Sequence, residues 1–157
     1  VTSALAALHA TLRNELPVTR SLGIRPVSYS HGIVTLQAPL RTNVNHRGTA
    51  FAGSLNAIAT LAGWSLVWLA LREHAVPGQV IIQDSSIQYL RPVAADFWAR
   101  SGPADGVALE RLFAAVRRRR RGRIAVEAVV GDRGGPAVAF AGRYVVQGMP
   151  GAGEGRQ

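Results

Sequence analysis

The sequence predicts an α+β domain in which a largely antiparallel sheet of about six strands wraps one long buried helix. Three observations predict it. Ser54 to Leu71 is an uncharged run whose clearly polar side chains are Ser54, Asn56, Thr60 and Ser65. Alternating, strand-like segments stand on both sides of that run. No internal repeat divides the chain. At ~1.5 Å per residue the run spans about 27 Å, the width of a small domain. A helix apolar on every face is buried on every face, in lipid or inside a sheet. Asn56, Thr60 and Ser65, the many small residues and the flanking strands favour the sheet, although the run comes close to the ~18 residues that a membrane span requires.

The elements follow in order. Residues 2–15 place Leu5, Leu8 and Leu12 at i, i+3, i+7, an amphipathic helix with Thr2 or Ser3 as cap and Pro17 as stop. Strands are predicted at 24–29 and 33–40, joined by Ser30-His31-Gly32 into a hairpin. A polar, Gly-punctuated loop, 41–53, enters the long helix, which ends near Glu73-His74 before Pro77-Gly78. A strand at 80–90 is broken by Arg91-Pro92, and 97–101 is a short strand. Residues 105–117 have helical spacing in Val107, Leu109, Leu112, Phe113 and Val116. Ile124, Val126, Ala128 and Val130 alternate as a strand, Asp132 to Pro136 turns, and Ala137 to Val146 is the last strand. The domain is expected to span 1–147, with 148–157 a disordered Gly-rich tail. One sheet leaves so apolar a helix partly uncovered, and a dimer is the economical remedy.

At 157 residues with 48% hydrophobic and 17% charged, the chain suits one globular domain. It has no cysteine, which excludes disulfides, thiolate metal sites and Cys nucleophiles and fits a reducing cytoplasm. The first residues lack the basic start of a signal peptide. The net charge is +9 and all 18 basic residues are Arg, so no Schiff-base or P-loop lysine exists. A basic excess favours phosphorylated or otherwise anionic partners, against the alternative of a solvated cationic surface. His9, His31, His46 and His74 have no metal-ligand spacing, and no metal or redox cofactor is expected.

PLRTNVNHRGTAFAGSL (39–55), LAGWSLVWLALREH (61–74), IIQDSSIQYLRPV (81–93) and GRYVV (142–146) together resemble the hotdog-fold thioesterases, most closely the thioesterase domain of the YiiD C-terminal type. The resemblance covers nearly the whole chain up to the tail. It implies a curved antiparallel sheet around a central helix and a homodimer, often paired further into a tetramer. It also implies action on an acyl thioester of coenzyme A or of acyl-carrier protein, with CoA entering only as part of the substrate. Such relatives commonly carry Asn-x-x-Gly-x-x-His-Gly-Gly at the helix entry. Asn45 and Gly48 match it, Phe51 stands at the His position, and Ala52-Gly53 replace Gly-Gly. The acid that relatives place about two turns into the helix is absent, with Thr60 in its neighbourhood. The resemblance gives Asn45 the task of holding water or substrate.

Thioester hydrolysis requires a polarised carbonyl and an activated water or nucleophile. Leading N–H groups at Ala52 and Gly53 supply the first, unless Gly53 is only a turn residue. Among the acids, Asp84 lies inside a strand and is read as sharing a face with Val80 and Ile82, where partial burial would suit a general base. The alternative is an Asp that bonds neighbouring backbone. Ser85 and Ser86, pointing to opposite faces, orient water or thioester or merely fill the strand. His46 beside Arg47 is read as a base, a CoA contact or a loop-fixing residue. Arg91 serves structure or the pantetheine path. Phe51, Leu55 and Trp64 would receive the acyl chain. Arg117–Arg121 with Arg123 either docks phosphates or is a solvated edge that discourages strand pairing, and nucleic acid is disfavoured because no base-stacking platform accompanies the run. The expected activity is thus acyl-thioester hydrolysis, with a non-catalytic acyl-CoA-binding module as the competitor and a dehydratase as a weaker rival.

Overall fold

A computed structural model of the chain describes residues 2–149. Six strands form one antiparallel sheet in the order β1-β2-β4-β5-β6-β3, comprising β1 (Arg25–Ser30), β2 (Ile33–Ala38), β3 (Gly78–Tyr89), β4 (Phe97–Ser101), β5 (Arg121–Asp132) and β6 (Gly135–Gly148). The long helix α3 (Ala52–Glu73) lies across one face of this sheet. Helix α1 (Thr2–Glu15) covers β1, and α4 (Gly106–Arg117) covers β5 and β6. A five-residue helix, α2 (Val18–Leu22), follows Pro17 and has no forewarning in apolar periodicity. Gly148, expected to open the tail, closes β6 instead, and residues 150–157 lie outside those described.

Local chemistry explains the ends. His31 and Gly32 both have positive φ, 50° and 71°, which closes the β1–β2 hairpin with the turn that suits twisted strands. Asp105 caps α4 by accepting from the Ala108 N–H at 2.7 Å. The arginine run is split between elements, with Arg117 ending α4, Arg118 capping it and Arg121 opening β5.

The core is the helix-facing side of the sheet closed on α3. Val34, Leu36, Phe97, Ala99, Ile124, Val130, Phe140 and Tyr144 are buried against Ile58, Ala62, Leu66 and Leu69. The most apolar window of α3 is long and apolar enough to cross a membrane, yet 72% of it is buried within the chain, as befits a core helix. The expectation of burial on all sides needs one correction. Asn56, Thr60, Trp64 and Trp68, spaced by four, remain half-buried and form a stripe along α3. Trp64 Nε1 donates to Val80 O at 3.0 Å, which turns this stripe toward the β3 edge. The Trp64 and Trp68 rings stack at 6.1 Å, with the Arg72 guanidinium 5.5 Å from the Trp68 ring.

Tyr144 locks helix to sheet. Its buried hydroxyl donates to Thr60 O at 2.6 Å, and the hydroxyl oxygen accepts from the backbone N–H of Trp64. The phenol thus meets both the carbonyl and the N–H of one rung of the helix ladder. Its ring lies where a Cβ on Gly63 would go.

A second lock joins the end of β3 to the β5–β6 turn. Arg91 donates to Asp132 Oδ1 at 2.7 Å, to Pro136 O at 3.0 Å, to Pro92 O at 3.2 Å and to Gly135 O. Asp132 also accepts from the N–H groups of Gly134 and Ala94. The Arg91 hydrogen bond, helped by those amides against the cost of burial, lowers the Asp132 pKa from 3.8 to about 2. The stabilisation is complete above the unfolded value and lost as pH falls through 3.8 toward about 2. Asp132→Asn is expected to cost about 2 kcal/mol at neutral pH. In urea titrations its difference from wild type should shrink over that acid window. A difference unchanged down to pH 2 would remove the ion pair as the cause.

Candidate active site at the helix entry

The loop 41–51 is organised by two asparagines. Asn43 is buried, and its Nδ2 donates to Pro39 O at 2.7 Å and Leu22 O at 2.8 Å, tying the loop to α2. Asn45 uses every position of its amide. Nδ2 donates to Thr49 Oγ1 at 2.9 Å and Ala50 O at 3.4 Å, while Oδ1 accepts from the N–H groups of Arg47 and Thr49. With its hydrogen-bonding capacity filled, Asn45 shapes the loop in the free protein. His46, Arg47 and Gly48 form the exposed tip, where Gly48 has φ 76°.

This loop delivers the chain into α3 at Phe51, which occupies the cap position and offers no capping side chain. The Ser54 and Leu55 N–H groups turn back to Phe51 O, whereas Ala52 and Gly53 lead the helix on its exposed end. A cap of Ser, Asp or Asn would quench these leading amides; Phe leaves them open to a ligand. The Phe51 ring, 56% exposed, lies over Gly53 where a Cβ would go. Beside this start is an open cleft of about 360 Å³ lined by Asn45, Ala52, Leu55, Tyr89 and Leu90, among others. Tyr89 Oη donates to Ala52 O at 3.3 Å, which fastens the end of β3 to the first turn of α3.

The structure brings Asn45, Ala52, Gly53 and Phe51 together and places several other predicted site residues elsewhere. Asp84 does not share the face of Val80 and Ile82. The register slips between Ile82 and Asp84, so Ile82 pairs with buried Tyr144 but Asp84 pairs with exposed Arg143. One extra residue in β3 reverses the alternation and sends Asp84 to the outer face of the sheet. There its Oδ2 accepts from Arg143 Nε at 3.0 Å and Nη2 at 2.5 Å, with both side chains half-exposed. Ser85, opposite buried Gly142, takes the helix side, and Ser86, opposite exposed Ala141, faces outward. Arg91 lines the cleft, but its guanidinium is engaged in the lock with Asp132. Thr60 Oγ1 donates to Asn56 Oδ1 at 3.2 Å, two turns up the half-buried stripe. Trp64 is farther along that stripe, at the β3 edge.

Sequence reasoning missed Asn56, Thr49 and Tyr89. Asn56 carried the available signal, a lone amide one turn ahead of Thr60 in an apolar helix. Several carboxylates hold structural tasks: Asp84 with Arg143, Asp132 with Arg91, Asp96 on the Leu40 N–H, Asp105 on α4, and Glu73 on Tyr29 Oη at 2.8 Å. None lines the cleft at the α3 entry.

One antiparallel sheet around a single long helix, open at the leading end of that helix, is the architecture of the hotdog class. Within it, the chain belongs to the family described as putative thioesterase (yiiD_Cterm), whose model matches residues 5–148. The chain is similar to the putative thioesterase from Shewanella oneidensis, with 29% identity and TM-score 0.82, covering 95% of this chain and 100% of that one. It is also similar to a protein of unknown function from Chlorobaculum tepidum TLS, with 27% identity and TM-score 0.89 over 94% and 96% of the two chains. A thioesterase from Haemophilus influenzae shares the fold at 17% identity and TM-score 0.74, over 96% and 94%.

Proposed function

We propose that the chain is an acyl thioesterase that hydrolyses an acyl-CoA, or an acyl-carrier-protein thioester, by direct attack of water. The observation that carries this reading is the uncapped start of α3 opening into a cleft beside the entry loop. The thioester oxygen would be held by the Ala52 and Gly53 N–H groups, where developing negative charge meets the positive end of the helix. The acyl chain would run past Phe51 and Leu55. Asn45 would set the loop, and Asn56, one turn into α3, would orient the water, itself held by the Thr60 hydroxyl. Its proton would pass to His46, the side chain at the loop tip able to accept one, and return to the leaving sulfur as the C–S bond breaks, giving the thiol and the carboxylic acid.

The working unit in this proposal is a homodimer, paired two-fold through β3. That strand is a 12-residue sheet edge with Ile81 59% exposed and Leu90 66% exposed just beyond it. A long edge with apolar side chains calls for a partner strand. A second copy would also cover the half-buried stripe of α3.

An acyl-CoA panel tests the reading. Wild type should turn over at least one acyl-CoA, Asp84→Asn should retain most of that rate, and His46→Gln should lose about 10²–10⁴-fold. Collapse of turnover in Asp84→Asn with His46→Gln unaffected would restore the carboxylate as base. The cleft's lack of a lining carboxylate favours a second reading, an acyl-CoA-binding module. Tight binding by wild type without turnover of any member of the panel would select it.

A further inference from the structure

The arginine run is the strongest charge feature of the chain, and the reaction sketched above leaves it unused. Arg118, Arg120, Arg121 and Arg123 are all exposed, grouped on the α4–β5 turn and the first residues of β5. Arg117 donates to His74 O at 3.3 Å and Arg123 Nε to Gln83 Oε1 at 3.1 Å, which fixes the two ends of the run. Pairing places the run along the sheet. Arg121 is level with Gln147, which is level with Gln79 at the beginning of β3. The helix-entry cleft lies at the other end of the same strand, where Tyr89 meets Ala52. Twelve residues of strand separate the two by about 36 Å. No single extended CoA thioester spans that distance within one chain.

Two-fold pairing through β3 changes the geometry. A two-fold axis makes the two edge strands antiparallel, so the Gly78 end of one copy lies alongside the Tyr89 end of the other. The arginine turn of one chain is then carried toward the helix entry of its partner. A CoA thioester has its acyl group at one end and three phosphates at the other, which matches a cleft and a cationic turn supplied by different subunits.

We infer that the arginine run clamps the nucleotide phosphates of CoA bound in the cleft of the opposite subunit. The inference rests on the proposed acyl-CoA reading and on pairing through β3. Arg forks bond phosphate oxygens in pairs, and four exposed guanidinium groups give the clamp its charge. Among the described residues the exposed aromatic side chains, Phe51 and Tyr89, lie at the helix entry and not beside the run, which speaks for a compact phosphate ligand over a single-stranded nucleic acid.

The test measures binding, so it stands apart from turnover. Wild type should bind CoA at least about tenfold more tightly than dephospho-CoA by calorimetry. The triple variant Arg118→Gln/Arg120→Gln/Arg121→Gln should lose that preference, its affinity for CoA falling further than its affinity for dephospho-CoA. Ala52→Trp should block the cleft. Co-expressed, differently tagged chains then give mixed dimers of one arginine-neutral and one cleft-blocked copy. These should bind one CoA per dimer with the wild-type preference, because the open cleft faces intact arginines across the seam. Mixed dimers without the preference would place the arginines on their own chain's cleft and overturn the inference. Equal wild-type affinity for CoA and dephospho-CoA would overturn it too, as would a monomer in solution. Tighter binding of an RNA or DNA oligonucleotide, lost in the triple variant, would assign the run to nucleic acid instead. Acyl-CoA turnover with no 3′-phosphate preference would defeat the clamp alone, and preference without turnover would defeat only the hydrolase.

Discussion

Ala52→Pro is expected to leave the protein folded and lower kcat by about 10²–10³-fold, the cost of removing one oxyanion donor. Ala52 is the first residue of α3, the position at which proline is best tolerated because its N–H has no partner within the helix. The preceding Phe51 has φ −62° and ψ 131°, the extended conformation that a following proline requires. Ala52 is also exposed, so the ring meets open space. The variant thus deletes one amide hydrogen from the cleft while sparing the helix. KM for the best acyl-CoA should change little, since the lost hydrogen bond is made most strongly as the carbonyl becomes an oxyanion. Thermal unfolding should stay within a few degrees of wild type. Full activity in a folded Ala52→Pro protein would remove the Ala52 amide from the proposed mechanism.

Gly63→Ala should destabilise the protein by about 3 kcal/mol, opposite in sign to the gain of about 1 kcal/mol that helix propensity alone gives. Gly63 sits in the middle of α3, where an exposed glycine would be improved by alanine. Here a Cβ would be 2.8 Å from Cζ of Tyr144 and closer still to its hydroxyl. Tyr144 has no room to yield, because it is fully buried and its hydroxyl is bonded into the helix backbone. The methyl group forces the strand and helix apart or breaks the Tyr144–Thr60 bond, and either outcome costs stability. For a domain of this size the loss is about 6–12 °C in Tm. Tyr144→Phe, which lacks the nearest atom, should cost less in the Gly63→Ala background than in wild type. A Tm at or above wild type for Gly63→Ala would show that the helix does not approach Tyr144 this closely.

Much of this molecule is legible from its residues. The uncharged run Ser54–Leu71 marks the helix that the sheet must cover, and alternating segments mark the six strands. The polar loop and Gly53 mark the place where that helix opens to solvent. These features are local: period, charge and turn chemistry act within a few residues, so a single chain displays them. The side of the sheet on which Asp84 lies is another matter. Alternation counted from Ile82 points it at the helix, but the slip in pairing with β6 turns it outward, and a bulge belongs to two strands at once. The same applies to Arg91 and Asp132, which meet across 41 positions of chain. It applies to Tyr144, which enters the backbone of a helix 84 positions earlier at Thr60. Sequence by itself determined what is buried and where the cleft begins. Only the tertiary structure decided which charged and polar groups face that cleft, because partners distant in the chain set register, and register sets the direction of every side chain beyond it.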